Sequence, residues 1–493
     1  MKNKNIFIVM LLSTFILTVT SCKSNLDLSP VSSYNAASFY KTQSDFQLAA
    51  NGLYSELQNL YFYSDYPNCI ESRGDNVNTQ TQYDAGLFCQ FLDNATTTSL
   101  AEMWQYCFQL IDRSNAILAK IDAGTFTTEA YRSYYKGEAY FMRGFAYFYL
   151  GQMCGGVPLL NKQVSASDIL SIKRSTQNET FAFAASDFTQ AISLLPPVWP
   201  TSAELGKATK YAAEGILARM DLFQKKYSDA KPLLADIISS GNYVMATNYS
   251  DCFVDKFDNS PEQIFQIQYT SGNVGQGDKL PVIWAPQPIK SAMFPQGGSS
   301  QFLHVSNDLY NSYTAGDIRR NFNIQNGYTN MSGVVDNVTK FYIKYAHGTI
   351  PSTIDDYAVN LPVLRYTDVK LMYAEILNEE GYSAGGDAFT ILNTVRNRAG
   401  LTTALTSVDL PDQTSFRNAI FNERRWEFAG EFLRWWDIVR SGNAMTIMNN
   451  YLQLPENGTS LYKMLATQTI FAIPQYELQI NPNTNIIWQN PGY

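Results

Sequence analysis

The chain has 493 residues, 45% hydrophobic and 16% charged, a composition that supports a substantial folded core and excludes an intrinsically disordered protein. A formal charge of −8 argues against a nucleic-acid binder and against adhesion to an anionic membrane by charge alone. The length allows roughly two to four domains of ordinary size, unless the architecture is a repeat.

At the N-terminus, Lys2 and Lys4 precede an apolar run of 14 residues, Ile6 to Val19, interrupted only by Ser13, Thr14 and Thr18. At about 1.5 Å per residue this helix falls short of a hydrocarbon core roughly 30 Å thick, so it reads as the apolar region of an export signal and not as a membrane span. Val19, Thr20 and Ser21 ahead of Cys22 resemble the lipobox of bacterial lipoproteins, in which the cysteine thiol receives a diacylglycerol. Residues 1–21 are therefore expected to be a lipoprotein signal peptide. Cys22 becomes the lipidated first residue, and 22–37 is a polar tether. Loss of the signal moves the formal charge to −10, and acyl chains at about 0.8 kcal/mol per buried methylene hold the body at a membrane. No later stretch reaches the roughly 18 apolar residues of a spanning helix.

The other cysteines, at 69, 89, 107, 154 and 252, form no CxxC and no Cys/His cluster, which excludes a zinc signature. Their odd number leaves at least one free thiol. One or two disulfides, Cys69 with Cys89 among the candidate pairs, stay open.

From 38 to 243 the apolar residues recur with helical spacing, as in "SDFQLAANGLYSELQNLYFY", "WQYCFQLIDRSNAILAKI" and "AYFMRGFAYFYLGQM". "GILARMDLFQKKYSDAKPLLADIISSGNY" is more specific. Leu217, Ala218, Ala230, Leu234 and Ile237 stand where a tetratricopeptide helix pair needs small residues at its crossing and larger ones along its seam. Ala374, Ala388, Leu392 and Val395 repeat that grammar about 150 residues later, too far along the chain for a regular array.

Between these halves, 244–360 loses the helical period. "EQIFQIQYT" and "VTKFYIKY" read as short strands among Gly-, Pro- and Ser-rich loops. A long irregular insertion in a helical protein is usually functional. This one carries Trp284, Phe302, Tyr310, Tyr313, Tyr328 and Tyr345. About four in five of the chain's aromatic residues are expected in the core, with the rest free to stack.

No HExxH, GxSxG or Walker lysine loop is present. "GNVGQG" at 272–277 does not open a helix, so it is not read as a phosphate loop, and Asp251, Asp255 and Asp258 lack calcium-loop spacing and read as turn carboxylates. The densest charge cluster is "NERRWEFAGEFLRWWDIVRSG", where Glu423, Glu427 and Glu431 step along one face near Arg424, Arg425 and Arg434. It reads as a packed helix whose charges lock neighbouring segments and not as a catalytic site.

Cys22 with "NLDLSP", "EAYFMRGFAYFYLGQMCGGVPLL", "LPVLRYTDVKLMYAEILNE", "NERRWEFAGEFLRWWDIVRSG" and the terminal "FAIPQYELQINPNTNIIWQNPGY" together make the chain resemble the SusD/RagB family of outer-membrane nutrient-binding lipoproteins. The resemblance implies a mainly α fold, with tetratricopeptide-like helix pairs forming a superhelical scaffold over 38–243 and 361–493 and the ligand site in the irregular 244–360 insertion. It implies a cell-surface lipoprotein, not an enzyme, that captures an oligosaccharide and delivers it to a SusC-like TonB-dependent transporter. The alternative in the same role is a peptide or another nutrient.

The ligand-binding candidates are Trp284 in its Pro-flanked loop; Arg73, Asp75 and Asn76 in "ESRGDNVNTQ"; Tyr83; and Tyr328. Aromatic faces suit sugar rings, and amide, carboxylate and guanidinium groups read hydroxyls. Trp104, which begins a helix, is assigned to packing. No cofactor is expected, and whether a calcium ion steadies the loops stays open.

Overall fold

The structure, a computed structural model, describes residues 39–62, 64–79, 83–457 and 461–493. The expected signal peptide over 1–21, the lipidation expected at Cys22 and the expected tether over 22–37 fall outside the described residues. Among the described residues no helix is long and apolar enough to cross a membrane.

Eight helices pack each against the next: α1 (Gln43–Phe62), α2 (Thr98–Lys120), α3 (Glu129–Cys154), α4 (Gln177–Leu194), α5 (Lys210–Phe223), α6 (Tyr227–Ser239), α7 (Tyr366–Glu380) and α8 (Asp387–Arg398). Local chemistry sets several of their ends. Thr176 and Glu179 form a capping box at the start of α4, and Thr209 caps α5. α3 stops at Gly155, in the left-handed region at φ 76°. A Cβ on the following Gly156 would lie 1.8 Å from the Ser175 carbonyl oxygen, so only glycine fits where the chain turns under the start of α4.

The two tetratricopeptide-like patterns prove to be spatial neighbours. α6 packs on α7, so the pairs α5/α6 and α7/α8 are consecutive units, with Ala218, Ala230, Ala374, Leu234 and Leu392 all buried at their crossings. The expected break in the array is corrected by two strands. The chain leaves after α6 through β1 (Gln263–Ile267) and returns through β4 (Leu361–Arg365), which pairs antiparallel with β1 and delivers α7 to α6. Gly215 in α5 lets Leu364 pack against the helix backbone, because a Cβ there would lie 2.3 Å from the leucine side chain.

The insertion contains a second antiparallel pair, β2 (Ile324–Thr329) and β3 (Val335–Tyr342). After α8, the chain adds α9 (Gln413–Glu427), α10 (Arg434–Ser441) and α11 (Ala444–Leu452). These sit where the array and the insertion meet.

That junction holds a buried ion-pair network. Arg365 pairs with Glu262, Glu427 and Glu431; Arg398 with Glu262 and Glu427; Arg319 with Asp317, Glu423 and Glu427; and Lys344 with Glu431. Glu423, Glu427 and Glu431 therefore take cations from distant segments and not from Arg424, Arg425 and Arg434. Those arginines pair instead with Asp368 and Asp437, with Asp75 and Asp308, and with Asp75. The reading of locked segments holds; the choice of partners within the helix is corrected. Burial alone would raise the Glu427 carboxyl, but the guanidinium groups of Arg398, Arg365 and Arg319 outweigh it and hold it down at about 2.

All five described cysteines are free and buried, so no disulfide forms among them and the candidate pair Cys69 and Cys89 stays reduced. Burial raises both thiols, Cys89 to about 12.

Candidate functional site

Four of the six candidate ligand residues lie in the interior. Arg73 is fully buried, pairs with Asp93, donates to the Gln468 carbonyl at 3.0 Å and lies 4.1 Å from the Phe91 ring centre. Asp75 accepts two hydrogen bonds from Arg434 at 2.7 Å each, and Asn76 donates to Glu71 and accepts from Arg425. Burial would raise the Asp75 carboxyl, but Arg425 and Arg434 bring it down to about 2. Trp284 packs its ring against Tyr342, Tyr345 and Phe432 and donates to Asn68. Arg73 Nε alone lacks a partner among these groups, but all four side chains are buried in a packed interior and leave no face for a ligand, so these four expectations are corrected to structural roles. Trp104 is buried with its ring tilted against Phe108 at 4.9 Å, in keeping with its assignment to packing.

Tyr83 and Tyr328 stand apart from these four. Tyr83 is exposed at the start of the short helix Asp84–Cys89, and Tyr328 is half-buried on β2. Hydrogen bonds join the segments 77–79 and 303–305 to the β2–β3 hairpin in one ledge, which carries Tyr328. Val77 forms an antiparallel bridge with Val305, Asn78 donates its backbone N–H to the His304 carbonyl at 2.8 Å, and His304 N–H donates to Thr79 Oγ1 at 2.9 Å. Val305 N–H donates in turn to the Lys340 carbonyl of β3 at 2.9 Å, and beyond β2 Asn330 bridges to Ile289.

Two further aromatic groups sit on this ledge. Leu303 is buried, and the two-residue period of an extended segment turns its neighbours Phe302 and His304 the other way, half-exposed and ring to ring at 4.4 Å. Tyr328 meets Phe341 edge to face at 6.1 Å and lies opposite Asp336 in the hairpin register. Burial lowers the His304 imidazole, partly offset by the Asp336 carboxylate, so the ring is neutral at pH 7 and presents an apolar face. Asp336 itself is engaged by Val338 N–H, Thr339 N–H and Thr339 Oγ1.

Next to the ledge a cleft of about 470 Å³ opens between the short helix Asn307–Ser312 and the turn Leu454–Pro455–Glu456. Glu456 accepts from Asp308 N–H at 3.0 Å and from Asn78 Nδ2 at 3.4 Å, and Lys340 Nζ donates to Asn307 Oδ1 at 2.7 Å. The Tyr310 ring lies between Arg320 and Lys340, 5.1 and 5.2 Å from its centre. Ledge and cleft together offer aromatic faces beside directional hydrogen-bonding groups. His304 escaped the sequence reading. The alternation Phe302, Leu303, His304 was the signal that could have placed it.

Asp251, Asp255 and Asp258 do not converge. Asp255 accepts from Thr349 N–H, Asp258 from Asn360 N–H and Asp251 from Asn248. Among the described residues no group of three or more potential metal ligands assembles.

Comparisons with known proteins agree with this architecture. A family profile described as "SusD family" matches residues 318–493, and one described as "Starch-binding associating with outer membrane" matches 25–222. SusD-like protein P25 of Formosa agariphila is 25% identical over 98% of each chain, and SusD-like protein P2 of the same organism is 27% identical over 100% of each. Surface glycan-binding protein A from Bacteroides thetaiotaomicron, solved in complex with laminarihexaose, superposes with a TM-score of 0.76 at 23% identity, covering 91% of this chain and 100% of that one. A SusD homolog from the same organism gives a TM-score of 0.80 at 20% identity, covering 92% and 98%. At these identities the solved structures establish a shared fold.

Proposed function

This chain belongs to the SusD/RagB family, and on that premise we propose that it is a lipid-anchored outer-membrane protein that captures oligosaccharides at the cell surface. The observation that carries the reading is the ledge of Phe302, His304 and Tyr328 beside the Asn307–Glu456 cleft. Sugar rings have apolar faces for aromatic side chains and hydroxyls for amides and carboxylates, and the ledge offers both kinds of partner in one place. Lipid on Cys22 would tether the body, and residues 22–37 would let it reach a SusC-like TonB-dependent transporter that takes the glycan onward. The buried carboxylates Glu423, Glu427 and Glu431 are committed to ion pairs, which supports binding without turnover.

The test is calorimetry of the chain against laminarihexaose, other neutral and acidic oligosaccharides, and a peptide mixture, with chromatography for hydrolysis products. Binding of an oligosaccharide without product supports the proposal. Binding of peptides alone would replace the ligand class, and released sugar would overturn the non-catalytic role.

A further inference from the structure

A single apolar side chain at a surface is ordinary, but five gather on one face of this protein. Ile169 and Leu170 in the turn Ile169–Ser171, Tyr476 and Ile480 on the short helix Gln475–Ile480, and Trp488 beyond it are between 37% and 64% exposed. Hydrogen bonds hold the three segments together. Asn481 Nδ2 donates to the Leu170 carbonyl at 2.8 Å, which sets Ile480 beside the turn. Arg174 N–H donates to the Ile486 carbonyl at 2.8 Å, and Lys173 Nζ lies 5.9 Å from the Trp488 ring centre, which brings the indole to the same turn. Leu478 packs on the core, so Tyr476 and Ile480, one helical turn apart, face outward together. Glu477, the carboxylate between them, is turned onto α2, where it hydrogen-bonds to Trp104.

We propose that this face is a lipid-contacting surface, which rests on the bilayer that holds the protein's own anchor. The inference rests on the lipid-anchored reading above and adds a second, non-covalent contact to it.

The position of the patch supports a bilayer as its occupant. Trp104, Phe108 and Asp112 form one row along α2, each one turn from the next. The Gln475–Ile480 helix meets this row at Trp104. At Asp112, about 12 Å further along the axis, the carboxylate accepts from Gln163 Nε2 at 3.3 Å, and burial together with the Asp112 charge raises the Tyr40 hydroxyl. The described chain therefore begins beside the same stripe of α2 that carries the patch. From Cys22 to Phe39 an extended chain reaches up to about 55 Å, several times the separation along α2, so a lipid on Cys22 leaves this face free to settle on the membrane.

The chemistry fits as well. Tyr and Trp place an apolar ring and a polar edge at the boundary between acyl chains and headgroups, and the exposed Lys162 and Lys173 beside them have stems that lie along apolar surface while the ammonium stays in water. A body of formal charge −8 gains nothing from anionic lipid by charge, so the contact is apolar and insensitive to salt. Five partly exposed side chains present on the order of a few hundred Å², below the roughly 1,200–2,000 Å² of a stable protein–protein interface. Such an area suffices where a covalent lipid already keeps the bilayer within reach, because the second contact is then intramolecular. The contact fixes which way the ledge faces.

The test is tryptophan quenching in the full-length lipidated protein, reconstituted into vesicles of phosphatidylcholine brominated on its acyl tails, with mass spectrometry of the lipid on Cys22. The expected result is loss of most Trp488 emission, read as the difference from Trp488→Phe, at low and high salt alike. Leu170→Asp and Ile480→Asp, both at exposed positions, should restore that emission while the protein still floats with the vesicles and circular dichroism shows an intact fold. Tyr476→Asp stands in for either variant that does not fold. Val338→Asp, on the exposed hairpin of the ledge, should leave the quenching unchanged. Lipid on Cys22 with Trp488 unquenched, whether the indole is then open to aqueous iodide or covered by a protein, would overturn the proposal and leave the anchor standing. Quenching insensitive to the aspartate variants would overturn it too, since Trp488 would then reach lipid by another face. Absence of acyl chains would overturn the anchored reading and this inference with it.

Discussion

Trp284 Nε1 donates to Asn68 Oδ1 at 2.6 Å, with both side chains buried and 216 residues between them in sequence. The bond pins the insertion to the short helix Tyr66–Ser72, and the indole ring fills the space among Tyr342, Tyr345 and Phe432. Trp284→Ala should therefore cost about 3 to 5 kcal/mol of stability, the range for emptying a large aromatic site. Urea unfolding checks this. A variant of wild-type stability with lost glycan binding would return Trp284 to the ligand site.

Glu427 accepts from three guanidinium groups in the interior. Glu427→Gln keeps the shape and removes the charge, leaving Arg319, Arg365 and Arg398 undercompensated, and should destabilise by about 3 to 5 kcal/mol. Glu380→Gln, which breaks the partly exposed pair with Lys231, should cost no more than about 1 kcal/mol. The two urea midpoints, measured side by side, separate buried from surface pairing.

Stability should peak in mildly acidic solution. Asp75, Asp368 and Glu427 are buried, yet their arginine partners hold them down at about 2, below their unfolded values. Their contribution is complete above pH of about 4.5 and is lost as pH falls toward 2. Burial pushes Asp258 and Asp278 up to about 7, so in the folded protein they bind protons that the unfolded chain has released, and stability rises as pH drops from about 7 toward 4. Tm followed from pH 2.5 to 8 should pass through a maximum near pH 4 to 5. A monotonic rise with pH would contradict this balance.

Reducing agent should leave Tm unchanged, and a thiol reagent should label none of Cys69, Cys89, Cys107, Cys154 or Cys252 until the chain unfolds, because all five are buried and unpaired. A drop in Tm on reduction would reveal a disulfide.

Phe302→Ala and Tyr328→Ala should each weaken oligosaccharide binding about 2- to 12-fold, the equivalent of one aromatic contact of about 0.5 to 1.5 kcal/mol. Both rings are half-exposed, so their unfolding midpoints should hardly move. Calorimetry of both variants against laminarihexaose, with Trp104→Phe as an interior control, reads the difference.

The sequence by itself determined the long helices and the two tetratricopeptide-like pairs, and its strands at 262–270 and 338–345 overlap the observed 263–267 and 335–342, because these rest on local periodicity and on the small residues at Ala218, Ala230, Ala374 and Ala388. It also carried the family motifs in order. Only the tertiary structure decided that α6 meets α7, since the β1/β4 pairing that joins them closes a loop of nearly a hundred residues. The same holds for the site. Arg73, Asp75 and Asn76 look like solvent-facing ligand groups along the chain, yet their partners Asp93, Gln468, Arg425 and Arg434 lie up to 395 residues away. Whether a polar residue is spent inside or offered outside depends on which charge the fold brings against it, and no local pattern encodes that distance. Phe302, His304 and Tyr328 gather on one ledge for the same reason: hydrogen bonds across three separate segments, and not proximity in sequence, place them there.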